Sequence, residues 1–125
     1  MSGEMKELIS LPVDTVEAQV VERQIDAYNS QALDDFMDCY ADQAELSIDG
    51  VPAVSGQEAL RGMYAQQFAT KPAQATVLGR IVQGEWVIDQ ERVVVEGDAA
   101  TVVAMYRIRD GLIQQVNFVG QQVER

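Results

Sequence analysis

"GEWVIDQERVVVEG", residues 84–97, is the stretch on which the fold turns. Turn residues stand at both ends of a run built from Trp86, Val87, Ile88 and Val93 to Val95, which is strand chemistry. Asp89, Glu91 and Arg92 interrupt it. Alternate side chains of a strand face opposite sides, so Asp89 and Glu91 share one face and Arg92 takes the other. Facing water, the two carboxylates would be ordinary solvated charges. Facing inward, they would line a cavity.

The neighbouring segments supply the context. From Ala75 onward the hydrophobic period is two, and β-branched runs are divided by Gly84-Glu85, Gly97-Asp98 and Asp110-Gly111. Two-residue turns at all three dipeptides predict an antiparallel meander with Arg80 opposite Asp89, Asp89 opposite Tyr106 and Tyr106 opposite Gln115. The next row on that face is Leu78, Glu91, Ala104 and Asn117. Flanking rows are apolar: Val82, Val87, Ile108 and Ile113 on one side, Thr76, Val93, Val102 and Val119 on the other. Polar groups in the middle of a face with apolar ends are the pattern of a ligand cavity. The opposite face carries Ile81, Ile88, Val77, Val103, Met105, Val116 and Phe118, too apolar to be left in water. A loop longer by one residue would flip a strand and reverse these assignments.

Ahead of the meander the period is helical. Asp14 and Glu17 have capping-box spacing, with Thr15 an equally good cap, and Val20, Val21, Ile25 and Tyr28 form the apolar arc that follows. Gln24 sits inside that arc, a polar residue where packing calls for an apolar one. "QALDDFMDCYA" predicts a second, short helix with Leu33, Phe36, Met37 and Tyr40 on one stripe. "AELSIDGVPAV" predicts strand with a tight turn at Asp49-Gly50. Ser55 to Glu58 predicts a capping box opening a third helix with Leu60, Met63, Tyr64 and Phe68 as its stripe, ended by Lys71-Pro72. Helices first and strands after is an α+β pattern, a sheet with helices on one face. The expected divisions are a flexible N-terminal segment at 1–13, a single domain at 14–121 and a C-terminal tail at 122–125.

Composition narrows the chemistry. With 125 residues and 47% apolar content, the chain suits one domain with one core. Twenty acidic against nine basic residues give a net charge of −11, which disfavours nucleic-acid and membrane partners. No run reaches the length of a membrane span, and "MSGEMKELISLPVD" lacks an apolar signal core. A single cysteine, Cys39, fits a reducing cytoplasm and reads as a small packed residue. The chain has no histidine, which removes the usual general base and metal ligand. A zinc site is not expected, and no Gly-rich phosphate loop or other cofactor motif is present. Proton chemistry is left to Asp, Glu, Tyr, Lys or Cys39.

"QIDAYNSQALDDFMDCYADQAEL", "SGQEALRGMYAQQFA", "RIVQGEWVIDQERV" and "MYRIRDGLIQQVNFV", taken in order, resemble the SnoaL-like members of the nuclear transport factor 2-like superfamily, which includes ketosteroid isomerases. The resemblance implies a cone: a curved antiparallel sheet wrapped around three N-terminal helices, an internal apolar pocket, and homodimers built on the outer sheet face. It does not carry the isomerase machinery. Matched residue by residue, the helix Tyr of that enzyme is Gln24 here, its base falls at Ile48 and its late-strand Asp at Ala104. Where many relatives read Asp-His-Glu, this chain has Asp89-Gln90-Glu91. Limonene epoxide hydrolase, another relative, uses the residue types found in Arg80, Asp89, Glu91, Tyr106 and Asn117, in a different arrangement.

The candidate catalytic residues are therefore Glu91 and Asp89, with Gln24, Tyr64, Arg80, Tyr106, Gln115 and Asn117 as ligand-binding candidates. Glu91 is the expected base, its pKa raised by desolvation, and Arg80 is expected to pair with Asp89 within reach of the Tyr106 hydroxyl. Three functions stay open: a cofactor-independent acid–base enzyme on an apolar oxygenated substrate, a binding module for an apolar ligand, or a dimerisation domain whose polar row fixes strand register.

Overall fold

The computed structural model describes residues 11–124. Its elements run α1 (Val16–Asn29), α2 (Leu33–Met37), β1 (Tyr40–Ile48), β2 (Val51–Ser55), α3 (Gln57–Thr70), β3 (Ala73–Gln83), β4 (Trp86–Val95), β5 (Asp98–Arg109) and β6 (Leu112–Val123). The strands form one curved, unclosed sheet in the order β2-β1-β6-β5-β4-β3. Of the segment expected at 1–13, residues 1–10 lie outside the described residues, and β6 continues past the boundary drawn at 121. Among the described residues, no helix is long and apolar enough to cross a membrane.

The sheet is mixed where the sequence predicted antiparallel pairing throughout. β1 runs parallel to β6, because the β1–β2 hairpin is followed by α3 and the whole meander before the chain returns beside β1. The expected β1–β2 turn is present: Asp49 and Gly50 both take positive φ, and Ile48 pairs with Val51.

Thr15 caps α1, its hydroxyl accepting the Ala18 N–H at 3.0 Å, while Asp14 plays no part in the cap. The C-terminal end of α1 is pinned to β3 by Asn29, which donates to the Ala75 carbonyl at 2.9 Å and accepts the Ala75 N–H at 2.7 Å. The second helix is shorter than its apolar stripe suggested, and Tyr40 opens β1 instead of closing the helix. The capping box at Ser55 does not form. Ser55 is still paired with Glu45 in the β1–β2 ladder, so the cap position moves one residue on, to Gly56 at φ +89°, and the helix begins at Gln57.

Register decides which strand residues face the helices. The β3–β4 turn is the expected Gly84-Glu85, and Arg80 sits opposite Asp89 as predicted. The β4–β5 turn falls on Glu96-Gly97, not Gly97-Asp98, with both residues at positive φ. A two-residue turn of that kind needs left-handed backbone at both positions, and glycine meets that requirement best in the second. The slip is two residues, so faces are kept and partners change: Asp89 lies opposite Ala104, and Tyr106 opposite Val87.

Two bulges do more. On β3 the ladder skips Leu78, leaving it 49% exposed and bringing Val77 opposite Glu91. On β6 it skips Gln114, moving Tyr106 from Gln115 to Val116. A one-residue insertion reverses every side chain beyond it. Val116 and Phe118 therefore face the helices, and Gln115, Asn117 and Val119 do not, the reverse of the two-residue-turn prediction. Thr76 likewise is exposed, and Ala75 takes the inner position beside Val93.

Candidate functional site

Between the helices and the concave face of the sheet lies a cavity of about 820 Å³. Its walls are built first from aromatic side chains. Tyr28 on α1, Phe36 on α2, Tyr40 on β1 and Tyr64 on α3 meet as a cluster, with ring centroids from 4.5 Å (Phe36–Tyr64) to 6.3 Å (Tyr28–Tyr64). All four of the chain's tyrosines line this one cavity. Ile25, Leu46, Met63, Val93, Val102 and Phe118 fill in the apolar wall. The mouth opens between the ends of β4, β5 and β6, at Val95, Asp98, Gln121, Val123 and Glu124.

Glu91 stands in the middle of this wall, only 4% exposed. It faces inward because it shares the face of Asp89 and because Val77 and Val102 flank it in the ladder. The Tyr106 hydroxyl donates to Glu91 Oε2 at 2.8 Å. No donor among the described residues reaches Oε1, yet no fully buried side-chain oxygen or nitrogen lacks a partner, so Oε1 keeps its opening onto the cavity. Burial pushes the Glu91 carboxyl up to about 7, with the nearby Asp89 charge adding to the rise and the Tyr106 hydrogen bond and Arg80 opposing it. The tyrosine hydroxyls all rise above their ordinary value, burial being the main cause and the Glu91 charge a further one.

Gln24 explains its place in the apolar arc of α1. It is 4% exposed, accepts the Tyr40 hydroxyl through Oε1 at 3.4 Å, and lines the cavity. Gln67 on α3 donates to the Tyr28 hydroxyl at 2.6 Å. The interior of the cavity, inside the mouth, thus offers one carboxyl, several hydroxyls and two amides within an otherwise apolar enclosure.

Arg80 and Asp89 are paired as predicted, through two hydrogen bonds of 2.7 and 2.8 Å, but they lie behind the cavity wall and not on it. Both side chains are fully buried. Arg80 also donates to Glu22 on α1 at 2.6 Å and to the Pro12 carbonyl at 3.2 Å, which ties the chain ahead of α1 and the helix itself to the sheet. Burial opposes the Arg80 charge, yet its two carboxylate partners outweigh that and raise its pKa. Burial also lifts the Asp89 carboxyl, against the downward pull of Arg80. Tyr106 bonds Glu91, not this pair.

Of the expected site residues, the fold thus brings Glu91, Tyr106, Gln24 and Tyr64 together on the cavity and sets Arg80 and Asp89 one layer back. Gln115 and Asn117 are corrected outright. The Gln114 bulge turns both to the outer face, where the Asn117 side-chain oxygen Oδ1 accepts the Gly50 N–H at 3.0 Å and steadies the β1–β2 turn. The Asp-Gln-Glu triplet keeps its outer member on the surface, since Gln90 is exposed. Sequence reasoning missed Tyr28, Tyr40 and Phe118 as lining residues. The signal for the two tyrosines was the phenol itself, which needs a polar neighbour when its helix stripe is buried.

Cys39 is buried, its thiol directed at the Asp35 carbonyl at 3.5 Å and pushed up by that burial, away from nucleophilic character. Among the described residues no cluster of carboxylates and Cys39 could hold a metal ion.

The sequence of the SnoaL-like domain family matches residues 21–116 of the chain. Several solved structures share the fold. A cystatin-fold protein of Novosphingobium aromaticivorans superposes with a TM-score of 0.76 at 24% identity, over 83% of this chain and 97% of that one. A candidate ketosteroid isomerase from Kribbella flavida superposes at 0.75 with 14% identity, over 88% and 78%. A computationally designed 17-OHP binder superposes at 0.76 with 13% identity, over 89% and 98%. No curated protein matches the sequence.

Proposed function

The chain belongs to the SnoaL-like domain family, and from that premise and the cavity we propose that it is a cofactor-independent acid–base enzyme acting on an apolar, oxygen-bearing small molecule, with Glu91 as the proton-transfer group. The observation that carries the reading is Glu91 itself: a buried carboxyl held by one tyrosine, open to the cavity on its other oxygen, and shifted to about 7. A group with a pKa near the working pH exchanges protons best.

The reaction class follows from what surrounds it. The Glu91 carboxylate takes a proton from a carbon next to a carbonyl; the C–H electron pair moves into the carbon framework and leaves an enolate oxygen. Gln24 and Tyr64 are the cavity donors suited to that oxygen, in a largely apolar enclosure where such bonds count for more than in water. The neutral carboxyl then returns the proton to the same carbon or to another along the conjugated system. Isomerisation, cyclisation and dehydration of such substrates share this first step.

Deuterium exchange tests it. Apolar ketones are screened for those that raise the melting temperature, and the binders are followed by NMR in deuterated water. Wild-type protein is expected to exchange the carbon-bound protons next to the carbonyl, and Glu91→Gln to bind the same ketone without exchanging them. Binding with no exchange by the wild type would leave a carrier. Exchange undiminished in Glu91→Gln would remove Glu91 from the mechanism.

Assembly belongs to the same proposal. The convex face of the sheet exposes Ile81 (64%) and Leu78 (49%) beside half-buried Ile88, Val103 and Met105. Val116 and Phe118, expected on that face, are on the other. The remaining patch supports a homodimer joined through β3, β4 and β5. Light scattering at micromolar concentration is expected to give the dimer mass, and Ile81→Lys the monomer. A wild-type monomer ends this part of the reading.

A further inference from the structure

Every charge on the cavity wall is negative. Glu91 lies deep inside, Asp98 and Glu124 stand at the mouth, and among the described residues no lysine or arginine lines the space. Several of the arginines are engaged in ion pairs. Arg80 is turned away from the cavity onto Asp89 and Glu22. Arg107 and Arg109 are held by Glu85, which precedes β4 and so lies at the opposite end of that strand from the mouth. Arg92, next to Glu91 on β4, is engaged with Glu124 through bonds of 2.8 and 3.1 Å, and among the described residues neither Glu91 nor Asp98 is in an ion pair. The interior polar groups that remain are hydroxyls and amides, none of which cancels a ligand's negative charge.

We propose that Glu91 and Asp98 make the cavity select by the sign of charge: it admits neutral molecules, and cations whose charge rests on Glu91 or at the mouth, and rejects carboxylates and phosphate esters. The inference rests on the cavity being a small-molecule site and narrows its substrate class to uncharged carbonyl compounds or amines. Organic acids and nucleotide-activated acids fall outside it. An aromatic wall beside a carboxylate also suits an organic ammonium group, by cation–π contact as well as by charge. The overall charge of −11 works in the same direction at longer range.

The inner member is switchable. Glu91 is faced by Tyr28 from α1, Tyr40 from β1, Tyr64 from α3 and Tyr106 from β5, with Asp89 on its own strand and Arg80 on β3 behind. None of the tyrosines loses its proton below the point at which Glu91 does, so between pH 5.5 and 8 the inner charge of the cavity is that of Glu91 alone.

Three fluorescent probes of one skeleton separate charge sign from plain desolvation: acetylanthracene, anthracene carboxylate and aminomethylanthracene. At pH 8 the ketone and the amine are expected to bind comparably, and the carboxylate roughly tenfold more weakly or worse. The gap is expected to narrow at pH 5.5, and at pH 8 in Glu91→Gln, with Asp98→Asn giving a smaller narrowing of about two- to threefold. Equal rejection of amine and carboxylate would mean that burial alone excludes charge and would overturn the proposal. So would a carboxylate that binds as well as the ketone, or a gap indifferent to pH, Glu91 and Asp98. Selective binding without deuterium exchange sinks the catalytic reading and leaves this one standing. Binding of none of the three at either pH sinks the cavity reading and this one with it.

Discussion

Arg80→Met is expected to destabilise the fold by about 3–5 kcal/mol at pH 7, because it strips the only cation from a buried acidic group. The Asp89 side chain has no exposure to water, and both of its oxygens bond Arg80. Glu22, the other partner, is about a third exposed and can turn outward once Arg80 is gone. Asp89 has no such exit. It must either stay charged without a partner or take up a proton, and its pKa is already raised by burial. The penalty should therefore shrink as pH falls, since protonation is easier in acid. A double change, Arg80→Met with Asp89→Leu, is expected to recover most of the loss, because it removes the buried charge together with its partner. Urea unfolding of the three proteins at pH 7 and pH 5 gives the comparison. A single variant costing less than about 1 kcal/mol, or a double variant no better than the single, would show that Asp89 is not isolated in the way the geometry implies.

Much of the fold was legible because its local signals agree. Thr15 caps where a cap was expected, the apolar arcs of α1 and α3 face the sheet, and Asp49-Gly50 and Asp110-Gly111 make the turns their chemistry predicts. The candidate site was legible in part, and the failures trace to single residues. Glu96-Gly97 and Gly97-Asp98 are both plausible turn pairs; the fold uses the one that puts glycine second. Leu78 bulges beside Gly79, and a glycine inside a strand pattern is a known mark of a bulge, so that signal was present and went unused. The Gln114 bulge left no such mark. Gln114-Gln115 has no turn chemistry, and the extra residue is accommodated by Gln114 donating to the Arg109 carbonyl at 3.0 Å, a contact set by the three-dimensional arrangement.

Glu91 came through because its inward face depends only on β4 being a strand and on Asp89 pointing inward beside it. Gln115 and Asn117 depended on counting through two turns and an unseen bulge. The error accumulated with distance along the chain from β4. Site residues read from alternation are thus secure on the strand that anchors the pattern and weaken with each turn crossed. The pairing of Arg80 with Asp89 needed one turn, and it held.

Glu91→Gln is expected to make the protein more stable at pH 8 while removing its chemistry. The folded protein raises the Glu91 pKa from 4.5 to about 7, so between those values the folded state binds a proton that the unfolded chain releases. Stability from this group is fully present below about pH 4.5 and is lost as pH rises through 7. A shift of this size corresponds to about 3 kcal/mol between the two limits. Glutamine keeps the shape, still accepts the Tyr106 hydroxyl and never ionises, so the variant escapes that loss. The difference in unfolding free energy between variant and wild type should be near zero at pH 4.5 and should grow to about 3 kcal/mol by pH 8, a comparison in which the other carboxylates cancel. Parallel curves for the two proteins would mean that Glu91 is not desolvated and would withdraw the reason for making it the base. If the curves diverge, the same substitution should lower proton exchange on a bound ketone by roughly 10²–10⁴-fold, the usual contribution of a positioned general base. A carboxyl that costs stability when ionised, in a wall made mostly of apolar and aromatic side chains, is held there against the interest of the fold. Gain of stability with loss of exchange in one substitution would locate the function in that conflict.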